Sequence, residues 1–165
     1  MIERARRVRA LAPVFLSLLL AGLALPTIEM ARLHPYEYTY FNSASGGARA
    51  ARERYMLDYW GLSLKQASQA LLAFLADSHI EKPADRAWKV AVCGPQRSPQ
   101  VELGRDFAIS WDPRGADFAM VLGEFYCRKL DAPLVAEIVR DGVSYARIHD
   151  LRGRSFDTLL TLPGL

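Results

Sequence analysis

The chain has 165 residues, 51% of them apolar and 24% charged, with a formal net charge of +3. This composition excludes a disordered chain, and the length leaves roughly 130 residues for one compact domain once an N-terminal apolar stretch is set aside. A nucleic-acid surface is excluded by placement, because Arg4, Arg6, Arg7 and Arg9 supply much of the positive excess and the remainder of the chain is close to neutral.

Those arginines stand directly before an uncharged run, Leu11 to Ile28. Its length suits a helix crossing a hydrocarbon core, where backbone amides find no partners outside the helix itself. Basic residues on the near side orient that end toward the cytoplasm and export the rest of the chain. Pro13 falls in the first turn, where a missing amide costs little, and Pro26 falls where the helix is expected to stop. A cleaved signal peptide shares the basic start but has a shorter apolar core, and the run is not succeeded by a clear small-x-small site. A buried helix of a soluble protein would need a core on all sides, more than so short a chain builds. The retained anchor is therefore the expectation, with the lipid bilayer as its partner.

After the membrane exit comes His34-Pro-Tyr-Glu-Tyr-Thr-Tyr-Phe-Asn42. Its tyrosines suit a membrane-interface belt; the alternation of Tyr36, Tyr38 and Tyr40 also suits an extended segment with its rings on one face. Gly46 and Gly47 mark a turn or a close backbone approach, and Ala48 to Met56 reads as a short basic helix. Asp58-Tyr59-Trp60-Gly61 precedes an amphipathic helix expected over about Leu64 to Ala76, with Ser63 as N-cap and Leu64, Ala67, Leu71, Leu72 and Leu75 as its inner face.

Beyond the polar turn Lys82 to Arg86, the segment Trp88 to Cys93 is rich in β-formers and stops at Gly94-Pro95, as a buried strand does. Pro99 to Asp106 is ambiguous. Phe107 to Trp111 and Ala116 to Leu122 have strand length, and Val135 to His149 carries Asp141-Gly142 between alternating apolar positions, the strongest hairpin signal in the chain. The expected fold class is α/β: one transmembrane helix followed by a small extracytoplasmic domain with a mixed sheet and a C-terminal β-hairpin. The expected division is 1–31 for the basic start and membrane helix, 32–61 for the aromatic motif segment and 62–165 for the α/β domain.

The run His34 to Asn42, then Gly46-Gly47, then Asp58-Tyr-Trp-Gly61-Leu-Ser-Leu-Lys65 resembles a segment of bacterial membrane glycosyltransferases of family 39, the protein O-mannosyltransferase group. There a similar stretch follows the last membrane helix and opens a C-terminal extracytoplasmic domain. The resemblance implies a bacterial inner-membrane location, with the N-terminus cytoplasmic and the domain periplasmic or extracellular. It also implies an enzyme that moves a sugar from a polyprenyl-phosphate carrier. The family's catalytic acids lie in its first extracytoplasmic loop among many membrane helices, and nothing matching that region precedes Leu11. No catalytic residue is therefore expected here: the chain reads as a fragment or split product of a longer enzyme, whose remaining membrane helices would be its partner, or as a free-standing relative of the terminal domain. The alternative is a non-catalytic single-pass membrane protein that binds a partner or an envelope glycan.

The motif residues His34, Tyr36, Tyr40, Asn42, Gly46, Gly47, Asp58, Tyr59 and Trp60 are the candidate contacts to an acceptor or lipid. Asp58 is the one acid embedded in the motif's second half; it reads as an acceptor or head-group contact, or as a cap ahead of the following helix. Asn42 and the glycines fit a rigid turn better than a reactive centre. His34, His79 and His149 have no metal-ligand spacing with Cys93 or Cys127, so no metal is expected. A Gly-rich phosphate loop and a serine-hydrolase elbow are both missing, and no cofactor is expected. In an oxidising space, Cys93 at the end of one strand and Cys127 after another could bridge; two buried thiols that never meet is the other outcome.

Overall fold

A computed structural model describes residues 2–155 apart from 125, 128 and 129, and of residues 2–10 the backbone alone. The side chains of the four N-terminal arginines and the end of the expected domain, 156–165, lie outside the described residues. The chain divides into two compact units, 1–47 and 48–165, so the aromatic motif is split between them.

In the first unit α1 runs from Ile2 to Leu33. Its stretch Leu11–Leu33 is long and apolar enough to cross a membrane, and its residues from 11 to 25 are all exposed. The helix does not stop at Pro26. A proline ring crowds the carbonyl four residues back, which here belongs to Gly22, where a side chain would meet nothing within 4 Å. Thr27 Oγ1 donates to the carbonyl oxygen of Leu23 at 2.8 Å, the kind of local hydroxyl contact that helps an apolar helix carry a proline. The stop comes instead just before His34-Pro35, where the residue preceding proline is driven out of the helical region.

The tyrosine run is not extended. Glu37–Thr39 is a 3-10 turn, so Tyr36 is buried, Tyr38 exposed and Tyr40 half-buried, and the rings do not share a face. Tyr40 folds back and its hydroxyl donates to Glu29 Oε2 at 2.9 Å. A second 3-10 turn, Ser43–Ser45, is capped by Asn42, whose Oδ1 accepts from the Ala44 amide at 2.7 Å, and Gly46 closes it in the left-handed region.

The second unit carries α2 (Gly47–Ala51, its first residue belonging to the first unit), α3 (Leu62–Asp77), β1 (Trp88–Cys93), α4 (Arg97–Leu103), β2 (Phe107–Ser110), β3 (Phe118–Leu122), β4 (Leu134–Arg140) and β5 (Val143–Asp150). The strands form one open mixed sheet in the order β2-β1-β3-β5-β4, parallel across β2-β1-β3 and antiparallel across β3-β5-β4. The fold is α/β. The hairpin joins β4 to β5 through Asp141 and Gly142, both at positive φ (47° and 70°), as the tightest hairpin turns demand. Arg49 of α2 lies against this turn, its Nε donating to the Asp141 carbonyl at 3.0 Å.

The core lies between the sheet and α3. Leu64, Ala67, Leu71 and Leu75 meet Val90, Val92, Phe118, Met120, Ala146 and Ile148, all buried. Truncating a fully buried leucine such as Leu71 to alanine costs about 2–5 kcal/mol. Leu72, expected on this face, is exposed, and Ser68 is buried in the stripe instead, its hydroxyl satisfied by the Leu64 carbonyl at 2.8 Å. A smaller cluster of Ala91, Ala116, Ala119 and Leu151 covers the opposite face of the sheet. The expected helix over Ala48 to Met56 shortens to α2, ending at Ala51, while the ambiguous stretch after Gly94-Pro95 folds as α4 with Pro99 in its first turn.

Candidate site at the carboxyl ends of β1 and β3

Strands β1 and β3 are fastened at both ends. At the amino ends Arg86 grips Asp117 with two hydrogen bonds of 2.6 and 2.9 Å, while Asp117 exchanges main-chain and side-chain bonds with Lys89. Burial pushes the Asp117 carboxyl up, but the Arg86 guanidinium and the Lys89 amide outweigh it and hold the group below the usual carboxylate range. At the carboxyl ends Cys93 and Cys127 are joined by a disulfide, with Cα atoms 5.8 Å apart.

From β1 the chain passes through α4 to β2 on one side, then returns across β1 to β3 on the other. The carboxyl ends of β1 and β3 therefore flank a topological switch point, the usual ligand position in open α/β sheets. In this domain the second half of the motif occupies it. Gly61, at φ 64°, lies so close to Pro95 that an added Cβ would stand 2.9 Å from its Cδ. Beside it, Asp58 is fully buried and its main-chain amide donates to Glu124 Oε1 at 2.8 Å. The Asp58 carboxylate turns to α3: Oδ1 accepts from the Leu62 amide at 2.9 Å, and Oδ2 accepts from the Ser63 amide at 3.0 Å and from the Ser63 hydroxyl.

Asp58 is thus the cap of α3, reaching over from outside the first turn because Gly61 in the left-handed region bends the chain back. This corrects the expectation for Ser63, which lies inside the helix as a buried donor to Asp58. Glu124 went unrecognised in the sequence. The signal available was an acid at the end of an apolar strand, Val121-Leu-Gly-Glu124, where a charge needs a partner. Burial pushes its carboxyl above the usual range, against the opposing pull of the Asp58 and Leu57 amides. The Tyr126 phenol is raised too, first by burial and then by the charges of Glu124 and Asp58.

The remaining motif residues separate into two groups. Tyr59 and Trp60 point outward, 58% and 74% exposed, with ring centroids 5.1 Å apart and nearly perpendicular planes. His34, Tyr36, Tyr40, Asn42, Gly46 and Gly47 belong to the first unit, where His34 Nδ1 meets Glu37 Oε1 at 2.5 Å. His79 ends α3 at positive φ, and His149 is buried against the Ala132 carbonyl at 3.0 Å, its imidazole pulled below the usual range by that burial. Among the described residues no three His, Cys, Asp or Glu side chains gather as a metal site. A shallow cleft of about 250 Å³ lies elsewhere, lined by Lys89, Ile109, Ser110, Asp112 and Arg114, and no motif residue reaches it.

Chemically, the arrangement can hold a helix and a loop in place. A general base must reach its substrate's proton, and Asp58 has both oxygens committed to α3 with no surface exposed. No known protein family, no curated protein and no solved structure matches the chain.

Proposed function

We propose that this chain is the terminal membrane helix and outer domain of a family 39-like glycosyltransferase, serving polyprenyl-phosphate-dependent sugar transfer as a supporting domain rather than making or breaking the bond. The family assignment rests on the motif from His34 to Lys65. The supporting role rests on one observation above all, the burial of Asp58 beneath the α3 amides. In this reading α1 spans the bacterial inner membrane with its basic end in the cytoplasm. The α/β domain stands outside, in a space whose redox state suits the Cys93–Cys127 bridge.

Two measurements test the proposal. The chain in nanodiscs, offered polyprenyl-phosphate sugars and an acceptor peptide, should give no turnover, and clear transfer would overturn the supporting role. Co-expressed with membrane glycosyltransferase subunits encoded beside it, the chain should purify as part of a transferase complex. Purification alone, with no further membrane helices encoded either in frame upstream or in a neighbouring gene, would overturn the family reading.

A further inference from the structure

We infer that residues 52–60 form a lipid-facing segment that seats the α/β domain on the head-group layer of the membrane; this rests on the anchor reading of α1. Within the run Arg52-Glu-Arg-Tyr-Met-Leu-Asp-Tyr-Trp60 only Leu57 and Asp58 turn inward. Arg52, Arg54, Met56, Tyr59 and Trp60 all face outward, and Trp60 is the most exposed large apolar side chain among the described residues.

This exposure is built in. Asp58, on one side of the aromatic pair, is locked to Glu124 and α3, and Gly61, on the other, is pressed against Pro95. Between two such fixed points the chain holds Tyr59 and Trp60 away from the core. An apolar surface maintained in this way marks an interaction site.

The chemistry selects lipid. Trp and Tyr have apolar rings with a polar edge and favour the head-group layer, and Met adds a flexible apolar contact. Arg52 and Arg54 outnumber the exposed acid of the run, Glu53, which complements anionic head groups. The 19 residues after Leu33, up to Arg52, keep the segment within about 65 Å of the end of α1, the span of a fully extended chain of that length. A sugar platform would need polar groups free beside the rings. The adjacent acids, Asp58 and Glu124, are instead buried and engaged by main-chain amides.

The test uses the full chain in bilayers of phosphatidylethanolamine and phosphatidylglycerol with acyl chains brominated near the head group. Trp111→Phe removes the other exposed tryptophan, and the Trp60→Phe/Trp111→Phe protein gives the background from buried Trp88. The Trp60 emission should be largely lost in brominated lipid, and Arg52→Glu with Arg54→Glu should restore much of it. If the chain withstands carbonate extraction yet Trp60 stays bright in brominated lipid and is quenched by aqueous acrylamide, the inference is overturned while the anchor reading stands. Shielding of Trp60 from acrylamide by a soluble oligosaccharide, without bromine quenching, overturns it in favour of a glycan face. Release of the chain by carbonate overturns the anchor and the inference together.

Discussion

Glu124, in the loop after β3, accepts the main-chain amide of Asp58 at 2.8 Å across 66 residues of chain, and Asp58 in turn caps α3. One acid positions the backbone of the other, so a recognisable surface motif is used from within as a fastening.

Asp58→Ala strips partners from two main-chain amides and leaves the buried Ser63 hydroxyl only its longer bond to the Tyr145 carbonyl at 3.3 Å, and should lower stability by about 2–4 kcal/mol. Asp58→Asn keeps an acceptor and should lose less. Urea unfolding of the full chain in detergent, in a Trp60→Phe/Trp111→Phe background so that emission comes from Trp88 alone, reads both. Unchanged stability in the alanine variant, with loss of a transferase activity in the assembled enzyme, would move Asp58 from a fastening to a chemical role.

Two buried acids should drive the pH dependence in opposite directions. The folded Glu124 carboxyl lies above its unfolded value, so its contribution is greatest at low pH and is lost as pH rises from the unfolded value through the folded one. Asp117 lies below its unfolded value, so its contribution is present at neutral pH and is lost as pH falls through the folded value. Glu124→Gln should therefore gain in melting temperature relative to the parent as pH rises from acid to neutral. Asp117→Asn should show a deficit at neutral pH that narrows in acid. Melting curves that stay parallel to the parent across this range would contradict both assignments.

The Cys93–Cys127 bridge closes a loop with a sequence separation of 34, which in the chain-entropy account is worth about 3–4 kcal/mol. Reduction, or Cys93→Ser with Cys127→Ser, should lower the unfolding midpoint accordingly. Alkylation of the unfolded, unreduced chain should label neither sulfur. Labelling of both would show that the thiols never joined in the cell.

Gly123 follows β3 at a point where a Cβ would stand 2.0 Å from the Ser144 carbonyl oxygen, a main-chain atom that can yield only by distorting β5. Gly123→Ala should cost about 3 kcal/mol or more and leave much of the protein aggregated. Gly153 is the contrast: its φ of 73° is strained for alanine, but nothing lies within 4 Å. Gly153→Ala should cost only about 1 kcal/mol. Equal losses would mean that the close approach to Ser144 is relieved by a small shift of the chain and does not govern Gly123.

Local chemistry was readable wherever a few neighbouring residues decide the outcome. Trp88 to Cys93 ends as a strand because Gly94-Pro95 cannot continue one, and Asp141-Gly142 fixes the hairpin because both must take positive φ. The α3 stripe followed from spacing, except that Leu72 and Ser68 exchanged places, a matter of where the sheet lies rather than of period. Distant pairings left no such trace. Nothing near Asp58 announces Glu124, nothing near Gly123 announces Ser144, and Ser63 looks like a cap until Gly61 is known to bend Asp58 over it. The 3-10 turn at Glu37–Thr39 was hidden by an alternation of tyrosines that also fits a strand.

The 66-residue reach between Asp58 and Glu124 also sets an order of events during synthesis. A nascent chain that has emerged only as far as β1 has its motif and Cys93 in place but lacks Glu124, Cys127 and the strand β3 that would pack beside them. Because such distant closures form late, α3 waits with its Asp58 cap not yet held by Glu124 and with an open apolar stripe until the ribosome has released residues past Cys127. That interval is when the emerging segment most needs a chaperone, and a stall placed between β1 and β3 should leave it trapped by one.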